Sequence, residues 1–325
     1  MLSLTPVIPS WLAGVSCVLF TVMFVGSLFV IPLGKVPTDK PEWLYKTMDR
    51  DHPLVVQQRF KGILLTSILA ILYLWCTFAY TGAIPTDLPL VTRLHYFLAL
   101  LGLSVPGNIL KLVNHTVIPL ALVAILFMSP LLMMYLNNEL PFQPRFSWEQ
   151  NKQFLFFEWI GIRNYIVGPI AEEFIFRACM VSITAFSGAS LRAMVFGLPL
   201  VFGIAHIHHG YEFFMKKGRT RQALMNAALV TVAQLVYTTL FGWFATFLFL
   251  RTSSLIAPCL CHSFCNIMGL PDVGSIVHYG SWKKWLYLAL IGGMMLFGLL
   301  MRPLTQPSLY GDSDTSSYWP LTVGK

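Results

Sequence analysis

Apolar runs long enough to cross a lipid bilayer recur along nearly the whole chain, and no other feature constrains its fold so tightly. A spanning helix needs about 20 mainly apolar residues. Runs of this kind lie near 10–33, 62–85, 115–137, 164–186, 191–206, 222–250, 252–270 and 284–301, the fifth and seventh being short and carrying histidines. In hydrocarbon every backbone N–H and C=O must be paired within the chain, so each run is expected to be a helix. Charged residues make up 11% of the 325, against about 25% in a soluble domain, too little polar surface for a body of this size in water. The expected fold is therefore all-α: a polytopic membrane helix bundle with about eight transmembrane helices. Six cysteines without C-x-x-C pairing signal neither a disulfide framework nor a structural zinc site.

The connections divide the chain. Residues 1–138 are expected to carry the first three helices with a loop at 34–61, residues 139–275 a helical core, residues 276–302 the last helix and residues 303–325 a polar tail. The first run is too long, and lacks the basic leader, for a cleaved signal peptide, so it is expected to stay as an anchor. Between the third and fourth runs, Trp148, Phe154, Phe156, Phe157 and Trp159 mix with charges and amides, the composition of an interfacial helix. The connections after the first, third, fifth and seventh runs hold 15 Lys and Arg residues, among them Lys35, Lys40, Lys46, Arg50, Arg59 and Lys61, while the opposite side holds 6. Cytoplasmic loops are enriched in these residues, which puts those four connections in the cytoplasm and both termini away from it. The net charge of +8 then belongs to loops beside anionic lipid and not to a nucleic-acid surface.

An ionisable side chain at the bilayer centre costs about 2.5–3.5 kcal/mol or more and points to function. On this division, with Arg192 at the edge of the fifth run counted in the connection before it, only Glu172, Glu173 and Arg177 among the charged residues fall inside a run, and the rest are expected in loops. His206 closes the fifth run, and His262 sits in the seventh with Asn266 one turn later. All of these come to the cytoplasmic half, Glu172 about 12 Å along its run at 1.5 Å per residue. Adjacent helical residues diverge by about 100°, so Glu172 and Glu173 are not expected to face one cavity, whereas Glu173 and Arg177 form an i,i+4 pair. Glu172 is left to face a water-filled pocket in that same cytoplasmic half. Pro169, Pro199 and Pro258 stand near the three groups, where a missing N–H can bend or open a helix.

A carboxylate and an imidazole close to one water make it nucleophilic, and a second imidazole with an amide N–H₂ can hold an oxyanion. The set fits an amide hydrolase without a covalent intermediate. Two histidines and a glutamate are also the minimum zinc set, although no H-E-x-x-H occurs. Cys265, three residues from His262, offers a thiol nucleophile. A proton-coupled transporter would use similar residues, but along a path through the bilayer and with inverted repeats. A non-catalytic membrane scaffold would not need the whole set.

Three clusters in order, Glu172-Glu173-Phe174-Ile175-Phe176-Arg177, Phe202-Gly203-Ile204-Ala205-His206 and His262-Ser263-Phe264-Cys265-Asn266, resemble the E-E-x-x-x-R, F-x-x-x-H and H-x-x-x-N pattern of the CAAX prenyl endopeptidase family. These are the Ras-converting, type II CAAX proteases of the wider ABI/CPBP membrane-protease group. The similarity is dense from about 150 to 275 and reaches Asp51-His52-Pro53 and Arg59-Phe60. The resemblance implies that 139–275 is a catalytic core and that the substrates are prenylated CaaX-terminated proteins, such as Ras-type small GTPases. Their farnesylated or geranylgeranylated cysteine would become the new C-terminus as the last three residues leave. It implies further that Glu172 with His206 activates water, that His262 with Asn266 forms the oxyanion hole, and that Glu173 and Arg177 support them. No cofactor or metal is implied, and the compartment is the endoplasmic reticulum membrane with the site open to the cytoplasm. A zinc-dependent membrane metalloprotease acting on the same substrates is the alternative.

Overall fold

The computed structural model describes residues 4–32, 41, 50–104, 108–311 and 316–319. Lys35, Lys40 and Lys46 of the first loop, and 312–315 and 320–325 of the tail, lie outside the described residues. The chain folds into helices α1 (Ser10–Val30), α2 (Pro53–Thr81), α3 (Leu90–Leu100), α4 (Ile109–Leu126), α5 (Met128–Leu136), α6 (Trp148–Phe157), α7 (159–185), α8 (Leu191–Ala205), α9 (Ile207–Lys216), α10 (Arg221–Thr252), α11 (Ile256–Met268) and α12 (Lys283–Met301). Among the described residues, six stretches are long and apolar enough to span a bilayer: α1, α2, α4, α8 with α9, α10, and Gly280–Met301. The protein is a multi-pass helical membrane bundle.

The fourth and seventh expected spans are helical but not plain spanning helices. In α7 the turns Trp159–Ile162, Gly168–Glu173 and Met180–Ala185 are α-helical, while Arg163–Val167 and Phe174–Cys179 are π-helical. Pro169 supplies the cause of the first widening. It has no N–H to give to Tyr165, and its ring would crowd that carbonyl in an α turn. The Gly168 N–H reaches back to Arg163 O, and a Cβ at Gly168 would lie 2.6 Å from that same oxygen. The seventh span is shortened to the 13 residues of α11 because Ser253, at φ 49°, ends α10 in a left-handed turn. Pro258 is only the third residue of α11, where its missing N–H has no intrahelical partner to lose. It does not open the helix as expected.

Two boundaries move and carry charges with them. Helix α2 starts at Pro53, not near 62, because His52 Nδ1 accepts from the Leu54 N–H at 3.2 Å and Pro53 is pre-set for the first turn. Arg59 and Lys61 are therefore helical, and Arg59 is buried. Helix α8 passes into α9 through His206 alone, so the fifth span runs on to Lys216 and buries Glu212. The expectation that all charges but three sit in loops fails, since Lys61, Arg93, Lys111 and Arg251 are helical too, and it fails at greatest depth in this pair. Arg59 Nη2 donates to Glu212 Oε1 at 2.8 Å, so each removes the other's cost of burial.

Helix α3 was not expected. At 11 residues it is too short to register as a span, and it begins directly after Pro89, with Arg93 over the Trp75 ring at 5.2 Å. Helix α6 forms where an interfacial helix was expected, and none of its residues is buried.

The main core lies among α1, α2, α7 and α8, with Phe20, Phe78, Ile175, Phe176, Phe186 and Phe202 buried together. A smaller one joins Val123 of α4, Leu248 of α10 and Cys261 of α11. Helices in lipid approach through small residues, and here α10 meets the α8–α9 pair across Gly242 and Gly210. A Cβ at Gly242 would lie 2.6 Å from Pro199 Cβ, and one at Gly210 would lie 1.9 Å from Thr231 Oγ1. Buried Tyr318 of the tail donates its hydroxyl to Leu100 O and ties the chain end to α3.

Candidate active site

Three of the functional side chains, Glu172, Glu173 and His206, sit where a helix changes character. Glu172 and Glu173 end the short α turn between the two π segments of α7, His206 is the single residue between α8 and α9, and His262 and Asn266 lie one turn apart on α11. Helix α7 packs against α11, which brings the two polar turns together.

The innermost group is Glu173, fully buried. Its Oε1 accepts from His262 Nδ1 at 2.7 Å and from Arg177 Nη1 at 3.0 Å. The Arg177 guanidinium, also buried, lies over the Phe202 ring, 4.3 Å from its centroid, so an aromatic face adds to the carboxylate in stabilising the charge. Expected as a partner of Arg177 alone, Glu173 thus also holds His262.

Glu172 is the more open carboxylate, 24% exposed. Its Oε2 lies 3.8 Å from His206 Nε2 and 3.8 Å from His262 Nε2. The tautomer of His206 follows from its other nitrogen. Nδ1 lies 2.8 Å from Phe202 O, and a carbonyl only accepts, so Nδ1 carries the hydrogen and Nε2 of the neutral ring is a lone pair. Asn266 Nδ2 donates to Asn164 O at 2.8 Å and keeps its second N–H. The structure therefore brings Glu172, Glu173, Arg177, His206 and His262 into one connected group. Asn266 joins them by lining the same cavity and not by a hydrogen bond to them.

Two cavities meet at this group. The larger, 660 Å³, is lined by Glu172, His206, His262 and Asn266 and by an apolar wall of Phe127, Leu240, Phe241, Phe244 and Phe297. Cys265 is part of that wall. The smaller, 140 Å³, adjoins the C-terminal end of α1 and the N-terminal end of α2 and is edged by Arg50, Arg59 and Arg163. Arg50, Asn164, Glu172, His206, His209 and Asn266 line both.

Sequence reasoning did not single out the arginine side of the site. Arg163 donates from Nε to Asn164 Oδ1 at 2.9 Å and from Nη1 to Arg50 O at 2.9 Å, and its Nη2 lies 2.9 Å from Asp51 Oδ1. It binds the 50–51 turn to the stretch of α7 that holds Asn266. The signal available was the second patch of resemblance at Asp51-His52-Pro53. Among the described residues, the His/carboxylate trio with converging donor atoms is His208, His209 and Glu212, within 4.8 Å of one another. Glu212 there is already held by Arg59 at 2.8 Å and Arg50 at 3.3 Å, so two guanidinium charges stand where a cation would sit.

Comparison with known proteins places the chain beside one family. The family described as type II CAAX prenyl endopeptidase Rce1-like matches residues 154–268, which include all six site residues. CAAX prenyl protease 2 of Homo sapiens is 34% identical over 320 residues, covering 95% of this chain and 85% of the human one. Probable CAAX prenyl protease 2 of Schizosaccharomyces pombe is 32% identical over 279 residues, covering 86% and 88%. CAAX prenyl protease 2 of Arabidopsis thaliana is 40% identical over 151 residues, 46% of each chain. No solved structure matches.

Proposed function

The chain belongs to the type II CAAX prenyl endopeptidase family, and from that membership we propose that Glu172, His206, His262 and Asn266 hydrolyse the bond that follows a prenylated cysteine. The enzyme is a CAAX endopeptidase, and its substrates are prenylated CaaX proteins. The observation that carries the assignment of residues is the placing of Glu172 Oε2 at 3.8 Å from two imidazole Nε2 atoms. That spacing is too long for a direct hydrogen bond, and at His206, whose Nε2 is an acceptor, it lets one water lie against both Glu172 Oε2 and the imidazole.

A water that donates one hydrogen to Glu172 Oε2 and the other to His206 Nε2 has its oxygen lone pair left for the scissile carbonyl carbon. As the C–O bond forms, a proton passes to this pair, and the carbonyl oxygen becomes an oxyanion. His262 Nε2–H and the free Asn266 N–H are the donors for that charge, with Glu173 accepting from Nδ1 to fix the ring. His262 donates from Nε2 when both nitrogens carry hydrogen, and the carboxylates on its two sides offset that charge. The stored proton then goes to the leaving amine, the C–N bond breaks, and the tripeptide departs. No step uses Cys265 or a metal ion.

The aromatic cavity is suited to the prenyl chain, since apolar walls with a few polar groups hold and orient such a ligand. We infer Ras-type small GTPases among the substrates, the endoplasmic reticulum as the compartment, and a site facing the cytoplasm with both termini lumenal. The excess of Lys and Arg on alternate connections supports that orientation. The test is release of the tripeptide from a farnesylated CaaX peptide by purified protein. Glu172→Ala and His206→Ala should each abolish it, and turnover surviving Glu172→Ala would sink the assignment.

A further inference from the structure

The three arginines beside the site differ in how much of each is already engaged. Arg163 spends Nε, Nη1 and Nη2 on Asn164, Arg50 O and Asp51. Arg59 is buried against Glu212. Arg50 is part-exposed and lines both cavities. Its Nη1 reaches His209 Nδ1 at 3.1 Å and Glu212 Oε2 at 3.3 Å, its Nε lies 3.5 Å from Asp51 Oδ1, and among the described residues nothing pairs with its Nη2. Beyond Glu172 this corner holds three guanidinium groups against two carboxylates, Asp51 and Glu212. It has one positive charge in excess and a fork suited to a carboxylate.

Distance selects which carboxylate. The His209 ring, on which Arg50 Nη1 rests, has its centroid 5.8 Å from that of His206. The guanidinium is thus at most about 10 Å from the His206 ring, a gap that three residues, about 10 Å when extended, can bridge. We propose that Arg50 receives the substrate's terminal α-carboxylate, three residues beyond the scissile bond, with Arg163 and Asp51 holding Arg50 in place. This rests on the reading of the protein as a CaaX endopeptidase. It gives that reading a ruler: the prenyl chain occupies the aromatic cavity, the free carboxylate meets Arg50, and the bond cut is the one left over the Glu172–His206 pair. A chain lengthened at its C-terminus would carry its carboxylate past the fork.

The experiment uses the full chain in a neutral detergent with two farnesylated peptides that differ only in ending as a free acid or a carboxamide. The wild-type protein should cleave the acid with a kcat/KM about 10- to 100-fold above the amide, the scale of one charge-assisted hydrogen-bonded pair, mostly through KM. Arg50→Ala and Arg50→Gln should shrink that preference to about threefold or less, and Arg50→Lys should restore part of it. Equal cleavage of acid and amide by the wild-type protein would overturn the carboxylate subsite and leave the endopeptidase reading intact. So would an undiminished preference in Arg50→Ala. Cleavage of neither peptide, or cleavage at another bond, would instead overturn the endopeptidase reading and the subsite with it.

Discussion

Glu173 Oε1 sits 2.7 Å from His262 Nδ1 and 3.0 Å from Arg177 Nη1, so a single oxygen ties α7 to α11 and sets the angle of the imidazole between them. Glu172 and Glu173 are neighbours in sequence, yet they address opposite nitrogens of the same ring. One has the part-exposed position and the other the wholly buried one, which separates their consequences on substitution.

Glu173→Gln should keep the fold and lower kcat by about 10²- to 10⁴-fold, the range for losing the carboxylate that orients a catalytic imidazole. Glu173→Ala should lower stability further, by about 3–5 kcal/mol, since it takes from the buried Arg177 both its countercharge and the oxygen that accepts its hydrogen bond, whereas glutamine keeps that acceptor. Glu172→Gln should abolish turnover while leaving the thermal midpoint in detergent nearly unmoved. Activity assays and thermal unfolding on the three variants check this, and a Glu172→Gln protein as unstable as Glu173→Ala would contradict it.

Gly242→Ala should cost about 1–3 kcal/mol by overpacking, because its new Cβ would lie 2.6 Å from Pro199 Cβ and 3.3 Å from Arg177 Nη2. The same substitution at Gly197 of α8, where nothing lies within 4 Å, should be near neutral. Paired unfolding curves decide it.

Cys265→Ala should retain activity within about threefold, because the residue is one part of an apolar wall and no proton path runs through it. Metal chelators should leave the rate unchanged. Loss of activity on chelation, restored by zinc, would move the chemistry to metal-activated water.

Asp51 gives a pH signature. Partial burial raises its carboxyl, but the hydrogen bond from Arg163 and the charges of Arg163, Arg50 and Lys216 outweigh this and hold it below its ordinary value. A depressed carboxyl contributes above its unfolded value and loses that contribution only as pH falls through the lower, folded one. Asp51→Asn should therefore weaken turnover of the free-acid peptide by a constant, modest factor from about pH 5 to pH 8, since the pair is half-exposed. The two proteins should converge only below about pH 4. A ratio that drifts across the neutral range would contradict the tether.

Scarcity of charge made much of the site legible. Glu172, Glu173 and Arg177 were the charged residues of one run, and the i,i+4 rule paired the last two correctly. The Glu173–His262 bond was not legible, because it joins residues 89 apart and depends on how two helices lie against each other. Arg59 and Glu212, 153 apart, were hidden for a related reason. A hydropathy window scores each charge singly and ends a span there, whereas the folded chain cancels the two against each other. The all-helical bundle followed from run length alone. Its shorter pieces did not, as the 11 residues of α3 and the widened turns of α7 depend on neighbours and not on period.

The widened turns of α7 bear on which length changes the chain can accept. Each π segment holds one residue more than an α turn would need, so deleting a residue from 163–167 would keep the stretch helical but bend it where the Pro169 ring meets the carbonyl one turn earlier. The deletion would also rotate Arg163 by about 100° relative to Glu172, taking it away from Arg50 and Asp51. Insertions and deletions here are screened by register, and a shortened protein could keep its helices while its two halves no longer aim at the same substrate.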